Sequence, residues 1–330
     1  MPSLVIYIPT WNRPHELKVQ LTALGDQVHE FQDRVSVIVS DNNSTDLASK
    51  GVQAWIEKLE WATLRRRPSN IGANANILSG FLEGSEESYI WILADDTTVS
   101  DNALSNIFNA IASEPDIVAL YDEDQDSLPS TLRFSPANVQ TVLNEFQWGL
   151  ISSVIYKFTF LAEDLENGFR FHNSSFPHLG ILFSAWKRNG QVRVHWLKTD
   201  EAHLGNRVEL KSNYSLALVG FPQLFLLLDP RDRRKPVVKW LRKYSAGFAY
   251  ARETEELSAH TTLTLVRKSG LLGRFWFLFG EFENFLRNST LGVKAQAFLV
   301  RHPALLSKLI PKSRLAYLVS TRKEKSREGS

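Results

Sequence analysis

The chain has 330 residues, 43% of them hydrophobic and 22% charged, enough for one large α/β domain or one domain with an appendage. Cysteine is absent, which excludes disulfides and thiolate metal sites and fits a reducing compartment. The net charge of +2 hides a division: from Arg231 onward there are 21 basic and 8 acidic residues, against 17 basic and 28 acidic before it. A basic C-terminal third of this kind implies an anionic surface as its partner.

No basic leader precedes an apolar region at the N-terminus, and Leu4–Ile8 runs straight into Pro9. No stretch reaches the ~18 uninterrupted apolar residues that span a bilayer, so the sequence predicts a protein that does not cross one.

In chain order, Leu4–Ile8 reads as a strand by length and β-branching, and Pro9-Thr10 ends it. Pro14–Leu24 reads as a helix with Leu17, Leu21 and Leu24 on one face. Val35–Val39 is a second strand, followed by the turn cluster Asp41-Asn42-Asn43-Ser44-Thr45-Asp46. A helix over Val52–Leu59, a strand over Ala62–Arg66 and a helix over Ala73–Leu82 come next. Ile90–Ala94 is too short for a helix and reads as a buried strand. Asp95 and Asp96 follow it, where two carboxylates can escape the cost of burial without partners. An isolated Asp-Asp pair is more readily an acidic turn than a metal site. The alternation of strand and helix, however, predicts a mostly parallel sheet whose polar strand ends, Thr10–Arg13, Asp41–Asp46 and Asp95–Thr98, share one edge.

Beyond it, Asp101–Ala112 reads as a helix, Ile117–Tyr121 as a strand and Asp122–Ser135 as a surface loop. Trp148–Phe158 reads as a strand bearing the hydroxyls of Ser152 and Ser153, Leu179–Lys187 as a helix and Val192–Leu197 as a strand. Arg231–Pro236 reads as a hinge. These boundaries divide the chain into a catalytic domain, 1–230, a basic helical region, 231–320, and a disordered tail, 321–330.

Four fragments then carry a resemblance. Ile8-Pro9-Thr10-Trp11-Asn12-Arg13, Asp41–Asp46, Asn70-Ile71-Gly72-Ala73-Asn74-Ala75-Asn76 and Asp95-Asp96 occur in an order and spacing that resembles a family 2 glycosyltransferase of the GT-A fold, over roughly residues 3–200. The resemblance implies inverting transfer of a sugar from a nucleoside diphosphate donor. It implies nucleotide-sugar contacts from Pro9, Thr10, Asn12, Arg13, Asp41, Asn43, Asn70, Gly72, Asn74 and Asp95. A carboxylate at Asp41 suits an imide N–H or guanine, favouring UDP, dTDP or GDP over CDP. The Asn70–Gly72 turn is equally an ordinary helix cap.

By the same resemblance Asp96 is the direct ligand of Mn²⁺ or Mg²⁺. Relatives often carry a third acidic residue where this chain has Thr97, which leaves His203 as a candidate ligand. Relatives also hold a general-base carboxylate at a helix start after the metal pair. Here Phe171–Lys198 contains no Asp or Glu, and His178 falls at that helix start. Imidazole is chemically able to act as base. A capping or acceptor-binding role is the plain alternative, with Asp200 and Glu201 as the next candidates for the base.

The C-terminal third holds the aromatic run Leu271–Phe279 among basic residues, a composition suited to lying in a membrane interface. The expected acceptor is a lipid-linked saccharide at the cytoplasmic face of the cell membrane, as in O-antigen assembly. Nucleic acid is not an expected partner, because the sheet edge is acidic. The alternatives are a non-catalytic sugar-nucleotide-binding scaffold on the membrane and a sugar-nucleotidyltransferase. The latter needs a Gly-rich basic loop after its first strand, which Pro9–Arg13 is not.

Overall fold

The computed structural model describes residues 2–46, 51–121, 128–145, 148–174, 176–204, 224–229 and Asp232. The chain divides into units Met1–Val237 and Val238–Ser330, and all the described residues lie in the first. The expected hinge, basic helical region and tail therefore lie outside the described residues, Asp232 excepted.

An eight-stranded sheet in the order β3-β2-β1-β4-β8-β6-β9-β7 forms the centre. Its first half is β1 (Ser3–Thr10), β2 (Val35–Asp41), β3 (Ala62–Arg66) and β4 (Ser88–Ile92), all paired in parallel. The connections are α1 (Pro14–Val28), α2 (Val52–Ile56) and α3 (Ala73–Phe81). In the other half β8 (Val154–Lys157) runs antiparallel to β4 and to β6 (Ile117–Tyr121). β9 (Gln191–Lys198) then continues parallel to β6. The ends of β4, β6 and β9 consequently point to the same edge as those of β1 and β2.

Burial explains why this arrangement is stable. Leu4, Ile6 and Ile8 of β1 and Tyr89, Trp91 and Leu93 around β4 are buried, as are Leu17, Leu21 and Leu24 of α1 packed over them. Each such side chain contributes about 1.5–3 kcal/mol when removed from water. Pro14 starts α1 at a position where the missing N–H costs nothing. α4 (Ala103–Ile111) adds a strongly one-sided apolar face through Leu104, Ile107, Phe108 and Ile111.

The sequence misreads two places. The segment expected as a loop to Ser135 contains β7 (Thr131–Arg133), an edge strand on β9 with its outer residues exposed, so it lacks the hydrophobic run that marks a strand. α5 (Pro136–Glu145) follows it. The strand expected over Trp148–Phe158 is shortened to β8, because Ile151–Ser153 form a 3₁₀ turn before it and α6 (Phe158–Leu161) begins after it. α7 (Leu165–Arg170) and α8 (Pro177–Asn189) lead into β9, and α9 (Thr199–Ala202) leads to β10 (His203–Leu204). β10 pairs with the two-residue β5 (Thr98–Val99), just past the acidic turn.

Candidate active site

The strand order reverses between β1, which connects outward to β2, and β4 on its other side. Open α/β sheets bind ligands at such a switch point, beyond the strand ends. Thr10 closes β1 there, and its hydroxyl donates to Asp95 Oδ2 at 2.7 Å. Arg13, at the cap of α1, donates through one nitrogen, Nη1, to Asp95 Oδ1 at 3.0 Å and to Asp96 Oδ2 at 2.6 Å. The two carboxylates thus converge on a single cationic atom.

The two acids are not equivalent. Asp95 is 6% exposed, and burial pushes its pKa up against the opposing pull of the Thr10 hydroxyl and Arg13. The Asp96 side chain is 29% exposed and faces solvent beside the 49% exposed Arg13. Buried Asp95 is held by Thr10 and Arg13, whereas Asp96, paired with Arg13, is partly open to solvent.

The turn carrying them is fixed from two sides. Gln20, buried on the otherwise apolar face of α1, donates its amide to the carbonyls of Ala94 and Thr97 at 2.5 and 2.9 Å. Ser152 Oγ accepts from Ala94 N–H at 2.9 Å. One heptad beyond Gln20, Gln27 donates to Ser100 O and accepts from Leu104 N–H. Sequence reading passed over this polar seam because leucine spacing dominates the helix. A buried-face position filled by Gln at two places seven apart is the signal that marks it.

The second strand end forms the neighbouring wall. Asp41 is buried, with Oδ1 accepting from Ser44 N–H at 2.8 Å and Oδ2 lying 3.6 Å from Arg66 Nε. Asn12 N–H donates to Ser44 Oγ, and Thr45 N–H donates to Asn12 Oδ1, so the loops after β1 and β2 are tied together. Asn12 and Asn43 both adopt left-handed backbone, which asparagine tolerates better than most residues. Pro9 lies in β1 opposite Ser40.

Asn42, unassigned by sequence reading, donates to Asn70 Oδ1 and accepts from Ile71 N–H, fastening the third loop to the second. Gly72, at the start of α3, has φ +84°, a conformation open to glycine at little cost. Behind it Asn76 accepts from Ser40 Oγ and Tyr7 OH and donates to Ser40 O. Asn74 points elsewhere: its amide donates to His172 O at 2.7 Å.

His178 stands in the first turn of α8, and since α8 leads into β9, that turn lies toward the edge where the strands end. The ring is only 1% exposed, with Nε2 3.2 Å from Trp148 O and Nδ1 buried without a hydrogen-bond partner among the described residues. Burial lowers its pKa from 6.5 to about 4, against the opposing pull of the Trp148 and Gly149 backbone. Asp200 and Glu201 lie at the C-terminal end of β9. Glu201 accepts from Lys198 N–H, while Asp200 is exposed. The backbone of His203 pairs with Val99 of β5, and its side chain lies outside the described residues. Among the described residues no cluster of three metal-ligating side chains occurs. No described helix is long and apolar enough to cross a membrane.

A parallel half-sheet with acidic, hydroxyl and cationic groups gathered at its switch point is similar to the GT-A fold. Residues 5–165 match the model of glycosyl transferase family 2, and this likeness marks the chain as a transferase enzyme. The abequosyltransferase RfbV of Salmonella typhimurium is 28% identical over 111 residues, 33% of each chain. The match thus spans about a third of that relative's length. The crystal structure of S. aureus TarS 1-349 superposes with a TM-score of 0.55 at 13% identity, covering 84% of this chain and 89% of the other. A second TarS 1-349 structure, in complex with UDP-GlcNAc, superposes with a TM-score of 0.54 at 12% identity over the same shares. At that identity the likeness shows the fold.

Proposed function

We propose that the chain transfers a sugar, with inversion, from a nucleoside diphosphate donor to a saccharide hydroxyl. The observation that carries this reading is the convergence of Asp95 and Asp96 on one cationic nitrogen beside Thr10. Carboxylate oxygens arranged around one positive centre suit a hard divalent cation, with the donor phosphates and water completing its shell. Asp96, with Asp95 behind it, would hold Mn²⁺ or Mg²⁺. Such an ion neutralises charge on the leaving diphosphate.

Thr10, Asn12 and Arg13 then contact ribose and diphosphate. Asp41 accepts from an imide or guanine N–H, which makes UDP, dTDP and GDP the favoured carriers, and the Asn70–Gly72 turn offers N–H groups to the donor. The acceptor oxygen attacks the anomeric carbon as its bond to the phosphate oxygen breaks, and the acceptor proton must pass to a base. His178 fills that role. Nε2–H donating to Trp148 O leaves the lone pair on Nδ1, and a ring with pKa about 4 is neutral at physiological pH. The acceptor reaches the ring only if its surroundings shift on binding, because the ring is buried.

The abequosyltransferase relative supports sugar transfer, and the acceptor we propose is a lipid-linked saccharide in O-antigen assembly. The excess of basic residues after Arg231 supports docking on the anionic inner face of a cell membrane. A second reading, a sugar-nucleotide-binding scaffold without catalysis, draws on the burial of His178 and the absence of Asp and Glu from Phe171–Lys198. A thermal-shift panel of UDP-, dTDP-, GDP- and CDP-sugars with and without Mn²⁺ tests the donor site. Metal-dependent stabilisation by one of the first three is expected, and no response to any would overturn the reading. Donor hydrolysis or transfer above background excludes the scaffold.

A further inference from the structure

Arg13 occupies the point on which both carboxylates converge, and this has a consequence for the order in which ligands bind. A single nitrogen satisfies Asp95 Oδ1 and Asp96 Oδ2 together. The guanidinium therefore stands in for the positive charge that the acidic turn is built to hold. Its side chain is half-exposed, on the loop between β1 and α1, so it can swing away without disturbing the core.

Two cations cannot share those oxygens. Resting on the reading that Asp95 and Asp96 hold a divalent ion, we infer that Arg13 is a placeholder that metal entry displaces onto the donor diphosphate. Before metal binds, Arg13 neutralises a carboxylate pair that would otherwise repel itself. Once released, the guanidinium is the nearest cation to the phosphates, to which it binds by charge-assisted hydrogen bonds. Metal and diphosphate then favour each other's binding, and by linkage each does so by the same factor.

The test uses Mn²⁺ binding to the full chain, followed by electron paramagnetic resonance, with no nucleotide and no turnover. Arg13→Gln should bind Mn²⁺ roughly tenfold or more tightly than wild type, the scale set by one hydrogen bond to a charged group. Arg66→Gln removes the same charge beside Asp41 without touching the acidic turn, and should change Mn²⁺ affinity little. With Mn²⁺ saturating, inorganic pyrophosphate should bind wild type more tightly than Arg13→Gln. Without metal, where Arg13 is engaged with the carboxylates, the difference between the two should be much smaller.

Equal Mn²⁺ affinity in wild type and Arg13→Gln overturns the placeholder role while leaving the metal site standing. Equal tightening in Arg66→Gln also overturns it, in favour of a net-charge effect. Pyrophosphate binding that ignores Arg13 in the presence of metal overturns the transfer to the diphosphate. Mn²⁺ binding by none of the proteins refutes the metal site itself, and the inference with it.

Discussion

Lowering the pH from 7 to 5 sets a specific load on His178. Its ring is buried, and the pKa falls from 6.5 in the unfolded chain to about 4 in the fold. Between those values the unfolded state binds the proton and the native state resists it, so unfolding becomes easier as the pH drops. Above pH 6.5 both states are neutral and the effect vanishes, and below about pH 4 it stops growing. For these two values the linkage relation gives about 2 kcal/mol lost at pH 5. In a domain of this size that corresponds to roughly 4–8 °C of Tm.

The assay is thermal unfolding of wild type and His178→Gln at pH 7, 6 and 5. The variant has no imidazole at this position, so its Tm should fall by several degrees less over that range. His195, also lowered by burial and partly restored by Glu201, titrates in both proteins and cancels in the difference. Parallel losses in the two proteins would refute the buried, neutral state of this ring. The same state shapes catalysis: a free-enzyme base with pKa about 4 keeps kcat/KM flat from pH 8 to 6 and loses it only in acid. A break near pH 6.5 would count against His178.

Three further outcomes follow from the site. His178→Gln should lower kcat by at least about a hundredfold with donor binding near normal; retention of most activity moves the base to Asp200, tested by Asp200→Asn. Asp96→Asn should abolish Mn²⁺ binding while leaving Tm near wild type, because Asp96 is a partly exposed group and no core volume is lost; unchanged Mn²⁺ affinity would remove Asp96 from the metal site. Gln20→Met keeps the bulk and removes both amide donors, leaving two carbonyls of the acidic turn short of partners at about 1–3 kcal/mol. It should weaken Mn²⁺ binding as well as lower Tm, and a fall in Tm alone would make Gln20 a purely structural residue.

Much of this was legible in the residues themselves. The short apolar runs ending in Thr10, Asp41 and Asp95 determined a parallel half-sheet with its polar ends along one edge, since β-branched runs bury and adjacent carboxylates cannot. The antiparallel half was less legible. β7 is an edge strand with a single buried side chain, and β8 is cut short by a turn, so neither leaves a periodic signature. What only the tertiary structure decided is which groups meet. Arg13 and Asp96 lie 83 positions apart, and Gln20 reaches carbonyls more than 70 positions away. The burial of His178 beside Trp148 is likewise a product of packing between distant segments. Spacing along a chain records local propensity, whereas contact and desolvation depend on what the rest of the chain places nearby, and it is those that set the charge and reach of each group.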